Sequence, residues 1–392
     1  MPDLTAQYIA RHRTECVATL ALALSGRTDV DGAFALRQIE GWQRLRTKVP
    51  SWAAVEALHY PPRLSLEQCS GEPAARYKSA LAHRLCPQGG TLLDLTGGLG
   101  VDFSFLARHF ARAVYVERSA ELCRLARHNF PLLGLPQAEV VQADAAAYLS
   151  VAPPAALCFL DPARRDGAGR KTVLIEDCEP DVAALLSRLR ALAPVVLLKL
   201  SPMLDWHRAV LTLGAVAEVH VVAVAGECKE LLLVCADAPA GPVVHAVDDG
   251  YRFVFRPAEE AAAPALVADG VGPFLYEPGA ALLKAGAYRL TAARYGLRPL
   301  HPNSHLYTGT AALPAFPGRA FRTVRVADFS KASLRALRRD VPRASLAVRN
   351  FPATPDALRR RLRIADGGPD YLFATTLADG RHVLIHCRKL ET

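Results

Sequence analysis

The chain has 392 residues, about half of them apolar, and can therefore bury more than one hydrophobic core. No run of about 18 apolar residues occurs, and the first residues lack the plan of a signal peptide, so the cytoplasm is the expected compartment and no membrane partner is expected. Nine cysteines without a CxxC pair or zinc-ligand spacing argue against a disulfide framework and against a metal site.

The net charge of +9 is concentrated in one segment. From Arg319 to Thr392, sixteen Lys and Arg residues stand against seven Asp and Glu residues, an excess equal to that of the whole chain. A basic segment beside a neutral body indicates a polyanionic partner, most simply nucleic acid. A solvated arginine-rich surface is equally compatible with the charge alone.

The first half of the chain changes its pattern once. Residues 1–85 predict a helical region, whereas residues 86–237 contain five short apolar runs separated by helical stretches: TLLDL, AVYVE, EVVQAD, LCFLD and VVLLKL. This alternation is typical of an α/β fold, a parallel sheet covered by helices on both faces. Two further runs, EVHVVAV and ELLLVCA, are separated by a tight turn and predict an antiparallel hairpin.

The second half predicts two smaller α+β segments. In residues 238–318 we expect a strand near Tyr251–Phe255 and one helix through Ala280–Tyr295. Residues 319–392 predict a βαβαββ module, whose two helices begin at Ser330 and Thr354 and whose last hairpin turns at an Asp-Gly pair.

A glycine-rich turn follows the first strand of the α/β region. In TLLDLTGGLGVDF the strand ends in Asp94, and glycines 97, 98 and 100 allow a ligand to approach the backbone closely. The next strand ends in Glu117, 23 residues after Asp94, where a carboxylate would meet ribose hydroxyls.

Two ribose-containing cofactors fit such a site, and the details separate them. The dinucleotide pattern G-x-G-x-x-G fails, because Phe103 stands in place of the third glycine. Asp94 has no role beside a pyrophosphate but would face a positively charged ligand well. These points favour S-adenosylmethionine, which carries an ammonium and a sulfonium and no phosphate.

With these residues the chain resembles class I S-adenosylmethionine-dependent methyltransferases, which implies a Rossmann-like sheet. Asp94, Gly98 and Gly100 match the family's first motif, Glu117 matches the acid after the second strand, and Asp144 matches the acid that lies beside the adenine. Thr96 stands where many members have a glycine. The expected cofactor-binding residues are Asp94, Thr96, Gly97, Gly98, Gly100, Glu117, Arg118, Asp144 and Ala145.

A closer resemblance covers most of residues 70–392. Segments such as YKSALAHRL, DPARRD, GECKELLL, FLYEPGAALLKAGAY and HPNSHLYTG resemble bacterial methyltransferases that carry a ferredoxin-like and a C-terminal THUMP-like domain. The resemblance implies methylation of RNA, either rRNA or tRNA, with the basic domain holding the substrate. A methyltransferase of a protein or small molecule, with the basic tail as a docking or solubilising module, is the alternative. A binding module with a degenerate cofactor pocket is a third reading.

The catalytic stretch is CFLDPARRD, at the end of the fourth strand. Asp161 is expected to accept a hydrogen bond from the nucleophile, while Pro162 stiffens the turn. Base-amino methyltransferases usually have an aromatic residue shortly after this proline; here Ala163 and Arg164 follow instead, which argues against methylation of the adenine amino group. The expected catalytic residues are Asp161, Pro162, Arg164 and Lys199, the penultimate residue of VVLLKL, which we expect at the same rim of the sheet.

Other readings of these side chains remain open. Arg164 and Arg165 would grip an RNA phosphate, or pair with acids such as Glu176 or Asp177. Lys199 would contact substrate or extend from a strand end into solvent. His301 and His305 have a four-residue spacing but lie in a loop without a third ligand.

Overall fold

The computed structural model describes residues 4–164, 174–238 and 240–390. The chain forms two compact units, residues 1–219 with 229–240 and residues 220–228 with 241–392. Within the described residues, no helix combines the length and the apolar character needed to cross a membrane.

The beginning of the first unit is helical, as predicted. Its helices are α1 (Leu4–His12), α2 (Val17–Ala23), α3 (Gly32–Lys48), α4 (Pro50–Ala53), α5 (Arg63–Gln68) and α6 (Glu72–Leu85). The α3 helix begins where the Asp31 side chain accepts a hydrogen bond from the amide of Phe34, and its buried Ala35 and Ile39 pack against Leu20 of α2. These helices therefore share a small apolar core of their own.

The rest of the first unit alternates between strands and helices. The strands are β1 (Thr91–Asp94), β2 (Arg112–Glu117), β3 (Ala138–Gln142), β4 (Leu157–Leu160), β5 (Ala163–Arg164), β6 (Cys178–Glu179) and β7 (Val195–Leu200). They are followed by β8 (Glu218–Val224), of which residues 220–224 belong to the second unit, and by β9 (Glu227–Cys235), of which residues 227–228 do. The helices between them are α7 (Val101–Leu106), α8 (Ala120–Leu132), α9 (Ala145–Tyr148), α10 (Val182–Leu192) and α11 (Trp206–Leu213).

The main sheet of this unit has the strand order β3, β2, β1, β4, β7, β9. The first five of these strands are parallel, which confirms the five predicted parallel runs, and β9 is antiparallel to β7. The chain order reverses between β1 and β4. In open α/β sheets ligands bind at the carboxyl ends of the strands beside such a reversal, so the fold itself points to the ends of β1 and β4.

The second unit contains the remaining elements. They are β10 (Val243–Asp248), β11 (Tyr251–Phe255), α12 (Pro257–Ala262), β12 (Phe274–Pro278), α13 (Ala280–Ala285), α14 (Tyr288–Tyr295), β13 (Arg298–Pro299), β14 (Tyr307–Gly309), β15 (Gly318–Asp328), α15 (Lys331–Asp340), β16 (Ser345–Arg349), α16 (Pro355–Leu362), β17 (Asp370–Thr376) and β18 (His382–Lys389). The single helix expected over Ala280–Tyr295 was wrong, because Gly286 at φ 83° ends α13 and a second helix follows.

The βαβαββ module is confirmed. Ser330 accepts a hydrogen bond from the amide of Ser333 at 3.2 Å and begins α15, and Thr354 does the same for Ala357 and α16. The sheet of this unit has the order β13, β14, β12, β15, β18, β17, β16. Because β15 pairs with both β12 and β18, one sheet runs through the boundary predicted at residue 318. The four-part division of the chain stays a prediction.

Candidate active site

A cavity of about 800 Å³ lies in the first unit at the ends of the parallel strands. Among its lining residues are all but one of the predicted site residues: Asp94, Thr96, Gly97, Gly98, Gly100, Glu117, Arg118, Asp144, Ala145, Asp161, Pro162 and Lys199. Only the backbone of Arg164 is described, where it pairs with Cys178, and Arg165 lies outside the described residues. The structure therefore brings cofactor and catalytic candidates to one cavity.

The glycine-rich turn forms one wall of this cavity. The amide of Gly97 donates to the carbonyl of Val116 at 2.9 Å, and a Cβ at this position would lie 2.2 Å from the ring of Tyr115. Gly100 has φ 85°, where a side chain would be strained and would also meet Phe130. Because side chains are excluded at both positions, bare backbone faces the cavity.

Asp94 ends β1 at the inner end of the cavity. It is almost completely buried and accepts a hydrogen bond from the amide of Thr96 at 3.0 Å. Burial raises the pKa of Asp94 well above its usual range, and the nearby carboxylates of Asp102, Asp161 and Glu117 raise it further. A cation bound beside Asp94 would stabilise its ionised form.

Two further carboxylates occupy the strand ends on the other side of the turn. Glu117 accepts the amide of Gly98 at 2.9 Å on one oxygen and the amide of Ser119 at 2.8 Å on the other, so the strand end and the glycine turn are tied together. Each oxygen keeps a second lone pair for a ligand hydroxyl. Asp144 begins α9, and its Oδ1 accepts the amides of Ala146 and Ala147.

Asp161 and Lys199 form an ion pair at the ends of β4 and β7. The Asp161 amide donates to the Thr96 hydroxyl at 2.6 Å, so the threonine that departs from the family pattern joins the ends of β1 and β4. Burial alone would lower the pKa of Lys199, but the carboxylates of Asp161, Asp102 and Glu230 raise it above its usual value. The lysine is therefore held charged beside Asp161 and does not extend freely into solvent.

Three charged residues of this region were missed by the sequence analysis. Lys78 on α6, Asp102 on α7 and Glu230 on β9 continue the charged cluster behind Lys199, and the ammonium of Lys199 lies 3.4 Å from Asp102. Burial alone would raise the pKa of Asp102, but Lys78 and Lys199 hold it below its usual value. Among these three residues, only Asp102 could have been suspected from its neighbours in sequence, since it follows Gly100 by two residues. An acid in the first turn of a helix is common without any function, however, so this position alone did not point to the site.

The remaining candidates have contacts elsewhere. His301 Nδ1 accepts the amide of Asn303 at 3.0 Å, and the ring of His305 stacks on Tyr288 at 3.8 Å. Glu176, one of the acids considered as a partner of Arg164 and Arg165, lies 3.6 Å from Arg208. Each of these three side chains therefore has a contact within the protein.

Comparison with known protein families supports the C-terminal resemblance. A family described as THUMP domain-like matches residues 318–389, and one described as a ferredoxin-like domain matches residues 274–317. Both matches lie in the second unit, and the first of them covers nearly all of the basic segment.

Relatives that match most of the chain identify the enzyme class. Two uncharacterized S-adenosylmethionine-dependent methyltransferases of Mycobacterium tuberculosis, from strains CDC 1551 and H37Rv, are each 30% identical to this chain over 322 residues, 81% of this chain and 84% of theirs. The chain belongs to the S-adenosylmethionine-dependent methyltransferases. This methyltransferase is also 39% identical to a candidate methyltransferase from Porphyromonas gingivalis W83 of known crystal structure, with a TM-score of 0.89 and coverage of 99% of this chain and 98% of that one.

The family assignment confirms three predictions. The protein is an enzyme, its cofactor is S-adenosylmethionine, and its fold is the Rossmann-like α/β sheet with ferredoxin-like and THUMP-like C-terminal regions. The residues of the cavity fit this cofactor. The glycine turn has no side chains that would obstruct it, and carboxylates line the cavity that could accept hydrogen bonds from its hydroxyls and pair with its positive charges.

Proposed function

We propose that this methyltransferase acts on RNA, either rRNA or tRNA, and that residues 319–392 hold the substrate. The proposal rests on one observation, that the most basic segment and the family match cover nearly the same residues. The segment that holds the chain's entire excess of positive charge is also the segment that resembles a THUMP domain. We also propose the division into residues 1–85, 86–237, 238–318 and 319–392.

The cofactor site follows from three of the carboxylates that line the cavity. Glu117 would accept hydrogen bonds from the ribose hydroxyls with its remaining lone pairs, Asp144 would contact the adenine, and Asp94 would pair with the ammonium. Thr96, Gly97, Gly98 and Gly100 supply the backbone wall, and Arg118 and Ala145 complete the rim. When bound, S-adenosylmethionine supplies an electrophilic methyl group on a sulfonium.

The residues at the end of β4 orient the nucleophile. Oδ2 of Asp161 is occupied by the ammonium of Lys199, so the other oxygen accepts a hydrogen bond from the attacking group. Pro162 fixes the turn that presents this carboxylate. Because displacement at a sulfonium requires an in-line approach, orientation of the nucleophile is the main contribution of the protein. Arg164 remains our candidate for a contact with the RNA backbone.

Cofactor affinity is expected to rise with pH. Since the pKa of Asp94 is raised, its carboxyl holds a proton in the free protein at pH values where an ordinary aspartate is ionised. A cofactor ammonium stabilises the ionised form, so binding releases this proton, and affinity increases with pH until the raised pKa is passed. Calorimetry in buffers of different ionisation enthalpy measures the released proton. In Asp94→Asn the release should disappear, and unchanged release would place the ammonium elsewhere.

RNA binding is expected to depend on an exposed basic face of α15. Lys331, Arg335 and Arg338 lie on one side of this helix at four- and three-residue spacing and are exposed. Changing all three to glutamate should weaken RNA binding and reduce the slope of log affinity against log salt by about 1 for each lost phosphate contact. An electrophoretic titration at several salt concentrations measures both quantities.

The matched control keeps the charge of this face. Lys331→Arg, Arg335→Lys and Arg338→Lys together should bind RNA almost like the wild type. Equal affinity of the glutamate variant and the control would remove RNA from the role of α15. Deletion of residues 319–392 is a poorer test, because it removes β15 from the sheet and leaves β12 without a partner strand on that side.

The decisive experiment transfers labelled methyl groups from S-adenosylmethionine to total RNA from a strain that lacks the protein, with nucleoside mapping afterwards. Labelled RNA is expected. Unlabelled RNA beside labelled protein or a labelled small molecule would instead support the alternative, in which the basic segment serves only as a docking or solubilising module.

A further inference from the structure

A row of alternating charges leads from the interior of the first unit to Asp161. Lys78 on α6 has no exposed surface, and its ammonium lies 2.5 and 2.6 Å from the two carboxylate oxygens of Glu230. The same ammonium lies 3.2 Å from Asp102 Oδ1. Asp102 Oδ2 lies 3.4 Å from Lys199, which pairs with Asp161. Charges of opposite sign therefore follow one another from Glu230 to the end of β4.

We propose that Lys78 and Glu230 are positioning residues for methyl transfer. They hold Asp102, and through Asp102 they hold Lys199 where its ammonium orients the Asp161 carboxylate. The proposal rests on the proposed function only in that Asp161 stands at the site of transfer. The proposal makes α6, the last helix of the N-terminal helical region, part of the active-site architecture.

The balance of charges around Asp102 explains why Lys78 is needed in addition to Lys199. The Asp102 side chain is only 11% exposed, and an ionised carboxylate that is largely buried requires a cation close by. With Lys199 alone, one ammonium would serve both Asp102 and Asp161 and would be drawn away from Asp161. Lys78, which also pairs with Glu230, supplies Asp102 with a second cation, so Lys199 remains available to Asp161.

Glu230 fixes the position of Lys78 in turn. Glu230 lies on β9, and its two oxygens bind the Lys78 ammonium. The hydroxyl of Ser70 accepts a hydrogen bond from the same ammonium at 3.2 Å and donates one to Asp102 Oδ2 at 2.8 Å. A buried ion pair contributes little to net stability compared with apolar residues of similar volume. Stability alone therefore does not account for this arrangement, whereas its continuation to Asp161 does.

The test removes the pair as a unit. The double variant Lys78→Met with Glu230→Leu leaves no unpaired charge between the two positions, so it should fold with a melting temperature close to that of the wild type and bind S-adenosylmethionine normally in calorimetry. Its methyl transfer at saturating substrate should fall by about tenfold to a hundredfold with KM unchanged. A folded double variant with the wild-type rate would overturn the proposal.

Two further variants separate positioning from folding. Glu230→Gln keeps the shape of the side chain and should also slow transfer, so the proposal stays testable if the double variant does not fold. Arg76→Met removes a charge from the same helix α6, but Arg76 is exposed and pairs with Glu72, so its rate should not change. A wild-type rate in Glu230→Gln would count against the proposal as strongly as one in the double variant.

A readout without substrate distinguishes this proposal from the proposed function. In protein labelled with ¹⁵N-lysine and saturated with S-adenosylmethionine, the ammonium resonance of Lys199 is assigned with Lys199→Arg. It should move in the double variant and in Glu230→Gln but not in Arg76→Met. An unmoved resonance, or a moved one with an unchanged transfer rate, contradicts the positioning role. Absence of RNA labelling by the wild type contradicts only the proposed substrate.

Discussion

Asp161→Asn is expected to lower the rate of methyl transfer by about a hundredfold while S-adenosylmethionine still binds. The asparagine retains the size of the side chain and the backbone contact with Thr96, but it has no charge to pair with Lys199. The nucleophile then loses the charged acceptor that orients it, because the one remaining acceptor oxygen is neutral and Lys199 competes for it. Single-turnover transfer of a labelled methyl group measures the rate, and calorimetry measures cofactor binding.

The control for this variant is the same change at an exposed position of the first unit. Asp237 has a highly exposed side chain that pairs with Arg190, so Asp237→Asn should transfer at the wild-type rate. If Asp161→Asn also kept the wild-type rate, the end of β4 would not be the site of transfer, and the assignment of Pro162 and Lys199 would fall with it.

Glu117→Ala is expected to weaken S-adenosylmethionine binding by about a hundredfold, which corresponds to about 3 kcal/mol. Two hydrogen bonds from ribose hydroxyls to a charged acceptor contribute about 1.5 to 3 kcal/mol each, and part of this is offset by water that replaces the lost carboxylate. The glycine turn also loses the bond from the Gly98 amide. Calorimetry measures the change in affinity.

Glu121→Gln is the control for Glu117→Ala. Glu121 lies in the first turn of the next helix, α8, and is not among the residues that line the cavity. Its variant should bind the cofactor as the wild type does. Equal binding by Glu117→Ala and Glu121→Gln would show that the ribose does not lie at the end of β2.

Much of the fold could be predicted because its signals are local. Each of the five parallel strands is a short apolar run, and the caps Ser330 and Thr354 begin their helices as expected. The helix over Ala280–Tyr295 was predicted too long, because a glycine inside a helical pattern is compatible with both a continuous helix and a helix end. The left-handed conformation of Gly286 decides between them.

The succession of the strands along the chain and the residues that end them were determined by the sequence alone, and so was the glycine turn. Carboxyl ends of parallel strands lie along one edge of a sheet, which is why the sequence predicts Asp94, Glu117 and Asp161 close together. The spacing of 23 residues between Asp94 and Glu117 likewise indicated that the two carboxylates belong to one ligand site.

Only the tertiary structure decided how the charges are connected. Lys78 and Glu230 are 152 residues apart, and no local pattern relates them. A lysine in an amphipathic helix is normally exposed, and a glutamate in an apolar strand has no evident partner in sequence. Their pairing depends on the packing of α6 against α7 and on the register of β9 beside β7, which are set by the whole core. The same holds for Thr96 and Asp161, because the contact exists only where β1 and β4 lie side by side.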